Sequence, residues 1–322
     1  MKPSAPDADF PPELQDIQST KFQQGIANAI TWVVKNPGDK VLSLPVSLMR
    51  LRLPNLKRVR FDSADVRLSR PNEHFQLNGY WSPASTHSKT CVMLIHGYYG
   101  GPRNMVSLAE KLNNKGYNVF MPELRAHGKR ENHRESTIGV LEGGDILGAI
   151  RYLEQNYKKQ TKNLHLLGHS MGAVSIMTLP ACVSPADYQY LLTRVQKIIL
   201  DSPYASRSSA LNARAEKVYN NDWVQRHPRL RAYTQGICKA FIENMHQQAV
   251  REGFPDGISD VHPADIMSQY PDWLNKVVLL LHGQKDQSTP YSDGEKIHEK
   301  LVQMEARHQF ISLPEADHVG KD

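Results

Sequence analysis

The sequence predicts a doubly wound α/β fold: a mostly parallel sheet with helices on both faces. Three observations carry this. Continuous apolar runs without alternation stand at 91–95, 117–121, 164–167, 195–200 and 277–281, the pattern of parallel strands buried on both faces. Between them lie stretches of helical character at 104–115, 142–156, 171–179 and 293–305. Such alternation points to a parallel sheet, because parallel neighbours need a crossover connection, usually a helix.

The elements follow in order. The first 18 residues are rich in Pro and Asp and read as a loose tail. From Ser19 or Thr20 as N-cap, Phe22, Ile26, Ile30 and Val33 recur at helical spacing up to the Asn36-Pro37-Gly38 stop. This amphipathic helix is expected to pack on its own protein. Peripheral contact with a membrane surface is the rival reading, weakened by a polar face of Gln and Asn rather than Lys. Short alternating runs at 57–61 and 76–81 read as antiparallel strands leading into the parallel set. Between Leu200 and Val277 stand about 75 residues, far more than a crossover needs. The stretch 205–253 is helical in composition, with Trp223, Tyr233, Phe241 and Met245 among basic residues. It is expected to form a helical cap over the strand ends, where ligands bind in such sheets; a helical addition on the side of the sheet is the alternative. A last strand at 308–313 closes the pattern. The expected organisation is a tail and amphipathic helix at 1–56, a first core part at 57–204, the cap at 205–262 and a second core part at 263–322.

Composition narrows the class. Of 322 residues, 40% are hydrophobic and 22% charged, which describes a soluble globular chain and excludes a disordered or collagen-like one. Lys and Arg number 39 against 33 Asp and Glu, a net charge of +6. The excess is spread along the chain, so no nucleic-acid partner is expected. Cys91, Cys182 and Cys238 are widely spaced, with no CxxC pair. That excludes a disulfide framework and a thiolate zinc site and fits a reducing compartment, the cytoplasm. The start lacks the basic-then-apolar order of a secretory signal, and no apolar run is long enough to span a membrane.

The chemistry centres on Gly168-His169-Ser170-Met171-Gly172, directly after one strand and before a helix. A sharp strand-to-helix turn holds a serine in a strained conformation, and small neighbours permit the close approach. The serine oxygen then stands at a helix N-terminus, where backbone N–H groups favour negative charge. Such a serine needs a base, and the base an orienting carboxylate, arriving in the chain order Ser, acid, His. Asp286 falls in the turn after 277–281, and His318 just beyond 308–313. Asp201, after 195–200, is the rival acid; His298 inside a helix and His308 before a strand are the weaker bases. Backbone donors for a developing oxyanion are expected at Met171 and, from the glycine-rich His96-Gly97-Tyr98-Tyr99-Gly100-Gly101, at Tyr98. His96 reads as a loop brace. Tyr98 and Tyr99 either line an acyl pocket or cover the loop. Arg207, Arg214, Arg226, Arg229 and Arg231 read as solvated charges, with an anionic substrate or lipid head group as the sharper reading.

With these residues in place, the sequence resembles the serine-hydrolase branch of the α/β-hydrolase superfamily, with its esterases, lipases, thioesterases and peptidases. The stretches that carry the resemblance are Leu94-Ile95-His96-Gly97, Pro122-Glu123-Leu124-Arg125-Ala126-His127-Gly128, Gly168 to Gly172, Asp201-Ser202-Pro203, His282-Gly283-Gln284-Lys285-Asp286 and Asp317-His318. They run in family order from about Val59 onward, the cap excluded. Glu123 and Ala126 stand where the family pattern has Asp and Gly. The resemblance implies the α/β-hydrolase fold, a sheet of the eight-stranded type with a cap insertion. It implies hydrolysis of a carboxylic ester or thioester of a small or lipid acyl substrate by Ser170, His318 and Asp286, with no metal or organic cofactor. A peptidase on the same residues, or a binding protein that kept the fold without turnover, is the alternative. Relatives also follow this histidine with a helix that packs on the sheet; here four residues remain.

Overall fold

The computed structural model describes Lys21, Gln23, Gln24 and Ala27 and residues 46–64, 75–98, 100–127, 136–251 and 262–318. Its elements begin with α1 (Val46–Arg52), β1 (Lys57–Asp62), β2 (Gln76–Ser82) and β3 (Thr90–Ile95). A 3-10 turn (Pro102–Met105) then leads into α2 (Val106–Asn114), β4 (Asn118–Pro122), α3 (Gly143–Tyr157), β5 (Asn163–His169) and α4 (Met171–Thr178). After α5 (Pro185–Arg194) and β6 (Val195–Asp201) come α6 (Arg207–Tyr219), α7 (Asp222–Gln225) and α8 (Pro228–Arg251). The chain continues through α9 (Pro263–Ser268), α10 (Pro271–Leu274), β7 (Val277–Gly283), α11 (Tyr291–Gln303) and β8 (Gln309–Leu313).

The strands form one eight-stranded sheet in the order β1-β2-β4-β3-β5-β6-β7-β8. The β1/β2 and β2/β4 pairs are antiparallel, and every pair from β4/β3 to β7/β8 is parallel. The fold is the α/β-hydrolase fold, as expected. On one face the large core gathers Met93, Ile95, Phe120, Leu164, Leu166, Ile198, Leu200 and Leu280 against Ile146, Ile150, Val174, Met177, Met267 and Trp273. On the other, α1 and α2 bring Met49, Leu53, Val106 and Ala109 onto Tyr80, Val92, Leu94, Val119 and Met121.

One expectation needs correction. Strands β5 to β7 are not buried on both faces: Leu167, Ile199, Leu279 and Leu281 are part-exposed, and Leu313 of β8 is exposed. The apolar runs reflect the core face and the shelter of α2, which reaches only as far as Leu167.

Element α5 has no counterpart in the expectations. Ser184 caps it by accepting the Asp187 N–H at 3.1 Å, with Pro185 at its first position, the ordinary chemistry of a helix start. The amphipathic helix around 22–33 falls mostly outside the described residues. Its described members Lys21, Gln23, Gln24 and Ala27 are helical. Gln23 Nε2 donates to the Tyr233 carbonyl at 3.0 Å and Gln24 Nε2 to Asn244 Oδ1 at 3.2 Å, so this segment lies against α8. Among the described residues no helix is long and apolar enough to cross a membrane.

Candidate active site

The elbow is built by steric necessity. Ser170 has φ +54 and ψ −121 between the end of β5 and α4, a left-handed conformation that costs a side-chain-bearing residue energy. A Cβ on Gly168 would lie 2.5 Å from the Ala173 nitrogen, and one on Gly172 2.4 Å from the Ile95 carbonyl oxygen. Both glycines of the motif are therefore required by backbone approach. The turn is held by Ser170 N–H donating to the Asp201 carbonyl at 2.7 Å.

Ser170 Oγ stands 2.9 Å from His318 Nε2, and His318 Nδ1 stands 2.7 Å from Asp286 Oδ2. Asp286 has no exposed side-chain surface. Its Oδ1 accepts the Ser288 and Thr289 N–H groups at 2.8 and 2.9 Å, and its Oδ2 the Thr289 hydroxyl at 2.8 Å. Burial pushes this carboxyl upward, but His318 and the amides of Thr289 and Ser288 outweigh it and hold it down at about 2. A carboxylate that cannot donate fixes the proton on His318 Nδ1, leaving Nε2 to accept from the serine.

The rivals are engaged elsewhere. Asp201 Oδ2 binds His169 Nδ1 at 2.8 Å, and His298 Nδ1 meets His308 Nε2 at 2.7 Å. His96 is wholly buried, bonding the Gly97 carbonyl through Nδ1 at 2.9 Å and accepting the Leu124 N–H at Nε2. Burial and the neighbouring His127 push it down to about 3, so it is a neutral brace. Gly100 N–H donates to the Gly97 carbonyl at 3.1 Å. A Cβ on Gly97 would lie 3.1 Å from Ser170 Cβ, so this loop abuts the serine. Met171 opens α4, and its N–H lacks an intrahelical acceptor by position. Tyr99 and Gly128 lie outside the described residues.

A cavity of about 430 Å³ opens onto Ser170 and His318, walled by Gly97, Tyr98, Met105, Leu108, Leu167 and Leu313 among others. Helix α6, the first of three inserted between β6 and β7, reaches the loop after β4, the start of α11 and the loop after β3. Arg207 donates to the Thr137 carbonyl, Ser209 Oγ to Asp293 at 2.8 Å, and the Arg214 guanidinium lies 4.9 Å from the centroid of the Tyr98 ring.

Two contributors were missed in the sequence. Thr289 bonds Asp286 through both its N–H and its hydroxyl; the signal was the Asp-x-x-Thr spacing at a turn. His169 forms its own pair with Asp201, with no local signal.

A strained serine at a strand-to-helix turn, bonded to a histidine that is itself bonded to an aspartate, both from later strand ends, defines an elbow-type α/β protein. The chain belongs to the alpha/beta hydrolase family, whose model matches residues 92–320. It is 25% identical over 249 residues to the uncharacterized protein YfhR of Salmonella typhi, covering 76% of this chain and 70% of that one. Over a shorter stretch of 91 residues it is 30% identical to a thermostable monoacylglycerol lipase of Bacillus sp. (strain H-257), covering 27% of this chain and 34% of that one. The esterase Pf2001 of Pyrococcus furiosus shares the fold with a TM-score of 0.59 at 18% identity, covering 84% of this chain and 86% of that one.

Proposed function

We propose that this protein is a serine esterase, cleaving a carboxylic ester or thioester through an acyl-enzyme. The observation that carries the reading is the hydrogen-bonded line from Ser170 through His318 to Asp286. Ser170 Oγ attacks the carbonyl carbon while its proton passes to His318 Nε2, and Asp286 holds the resulting imidazolium. The oxygen that gains the electron pair is stabilised by the Met171 and Tyr98 amides. Collapse expels the alcohol or thiol, which takes the proton from His318. Water then gives a proton to Nε2, attacks the acyl-enzyme, and the acid leaves as Ser170 regains its proton. Substrate, water and three side chains supply every proton and electron pair. The inserted helices act as the cap that selects the acyl or alcohol part. Supporting this is the named activity of similar proteins, a monoacylglycerol lipase and an esterase.

The test is hydrolysis of p-nitrophenyl esters from acetyl to palmitoyl, with Ser170→Ala beside the native protein. Serine-dependent turnover supports the reading, and the preferred chain length sizes the cavity. No turnover from folded protein across the series, or turnover that survives Ser170→Ala, overturns it.

A further inference from the structure

The arginines of the inserted helices separate into distinct kinds. Arg207 is wholly buried and donates to the Thr137 carbonyl. Arg231 donates to the Tyr219 hydroxyl at 2.8 Å and lies over its ring. Arg226 and Arg229 are exposed to solvent. Arg214 differs from all of these. It is half-buried, its guanidinium lies over the Tyr98 ring, and among the described residues it makes no ion pair and no hydrogen bond.

Among the described residues, four carboxylates at this end of the sheet are already committed. Glu142 accepts from Ser136 at 2.8 Å, Thr137 at 2.6 Å and the Gly139 N–H at 2.9 Å. Asp201 is bonded to His169, Asp286 to His318 and Asp293 to Ser209. A guanidinium stacked on an aromatic face keeps its N–H edge free, and that edge fits a carboxylate or phosphate with two parallel hydrogen bonds. Tyr98 lines the cavity that holds Ser170 and His318. His127 also meets this ring, in a T-shaped contact at 5.7 Å, and burial pushes that histidine down to about 4 and so keeps it neutral. The unpaired cation therefore stands on the residue next to Gly97, the glycine that abuts the serine.

We infer that Arg214 is a substrate-recognition residue binding a carboxylate or phosphate carried by the ester, so that the substrates are anionic esters. This rests on the serine-esterase reading and deepens it. A hydrogen-bonded charge contact of this kind changes affinity by about ten- to a hundredfold.

The experiment compares kcat/KM for matched pairs. In one arm, p-nitrophenyl hemiesters of succinate, glutarate and adipate are set against their neutral methyl diesters. In the other, a monoacylglycerol phosphate is set against the same monoacylglycerol. Native protein should favour the anionic member of at least one pair by tenfold or more, chiefly through KM. The first arm indicates a carboxylate on the acyl side, the second a phosphate on the leaving group. Arg214→Gln should bring the ratio to about one, and Arg214→Lys should keep part of it, serving also if the glutamine variant fails to fold. A purely structural latch would lower both members equally. No preference in any pair, or one that survives Arg214→Gln, overturns the inference while neutral-ester turnover dependent on Ser170 leaves the esterase reading intact. Calorimetric titration of Ser170→Ala protein with octyl phosphate and monooctyl succinate reads the same contact without turnover. Binding of at least one probe should weaken tenfold or more when Arg214→Gln is added, and equal binding with and without it counts against the proposal.

Discussion

Asp286 and Asp201 sit on neighbouring strand ends, yet their surroundings give them different work. Asp286 is closed off from solvent and accepts from His318, Thr289 and Ser288, whereas Asp201 accepts from His169 beside the cavity. Asp286→Asn should therefore lose about 10⁴-fold in kcat, the cost of presenting the wrong histidine tautomer. Asp201→Asn should cost far less, and steady-state kinetics of the two variants decides between them. The same carboxylate predicts a pH signature in stability. Its folded value of about 2 lies below the unfolded one, near ~3.9. Ionised Asp286 thus stabilises the fold above the unfolded value, and this contribution fades as pH falls toward 2. The gap in unfolding free energy between native protein and Asp286→Asn, measured by urea titration, should be larger by about 2 kcal/mol at pH 6 than at pH 2. The acidic limb of an activity profile above pH 4 then belongs to a group other than Asp286.

The elbow element is where local sequence and tertiary packing agree most closely. Gly172 lies at the start of α4 with the β3 backbone pressed against it, and an added methyl would meet the Ile95 and His96 carbonyl oxygens at 2.4 and 2.7 Å. Backbone cannot yield as a side chain can, so Gly172→Ala should cost about 3 kcal/mol, the upper end for overpacking, and should displace Ser170. Chemical denaturation alongside ester turnover checks both effects. The loop after β4 offers the reverse case. Ala126 holds φ +61, where the related pattern has glycine, so Ala126→Gly relieves roughly 1 kcal/mol of strain against a similar loss of chain entropy. Its unfolding midpoint should be unchanged or slightly raised, and a clear drop would show that the methyl packs usefully. These elements were legible because their glycines and apolar runs are local signals. Others were not. The burial of β5 to β7 depends on which helix covers each face, and on the α2 side the packed cluster includes Leu167 of β5 but no residue of β6 or β7. That Ser170, Asp286 and His318 come together could be read from strand ends, but the His169–Asp201 pair arises only from strand pairing, where His169 lies beside Asp201.

At the scale of the whole molecule, the antiparallel entry must be fastened to the parallel core, and a buried ion pair does this. Arg125, after β4, and Asp145, on α3, have no exposed side-chain surface and meet at 2.8 Å. Asp145 Oδ1 also accepts the Ser63 hydroxyl at 2.6 Å, just past β1, and Oδ2 the Arg125 N–H at 2.9 Å. Close by, a Cβ on Gly148 would lie 2.0 Å from the Asp62 carbonyl oxygen, so α3 rests directly on the end of β1. One carboxylate thus joins β1, the β4 loop and α3. Removing its partner strands a charge in the interior, which costs about 3–5 kcal/mol, while replacing both groups by apolar ones is often neutral. Arg125→Met should destabilise the protein by that amount, and Arg125→Met with Asp145→Leu should recover much of it. Burial already pushes the Asp145 carboxyl upward against the opposing pull of Arg125. Without the arginine, Asp145 holds its proton to higher pH than in the unfolded chain, so the variant takes up a proton on folding. Its stability must then fall as pH rises, and its deficit relative to native protein should be smaller at pH 5 than at pH 8. Denaturant titrations at both values test this. A deficit that does not change with pH would mean that water reaches Asp145 once the guanidinium is gone, and that the junction is sealed by packing of α3 on β1 rather than by the charge pair.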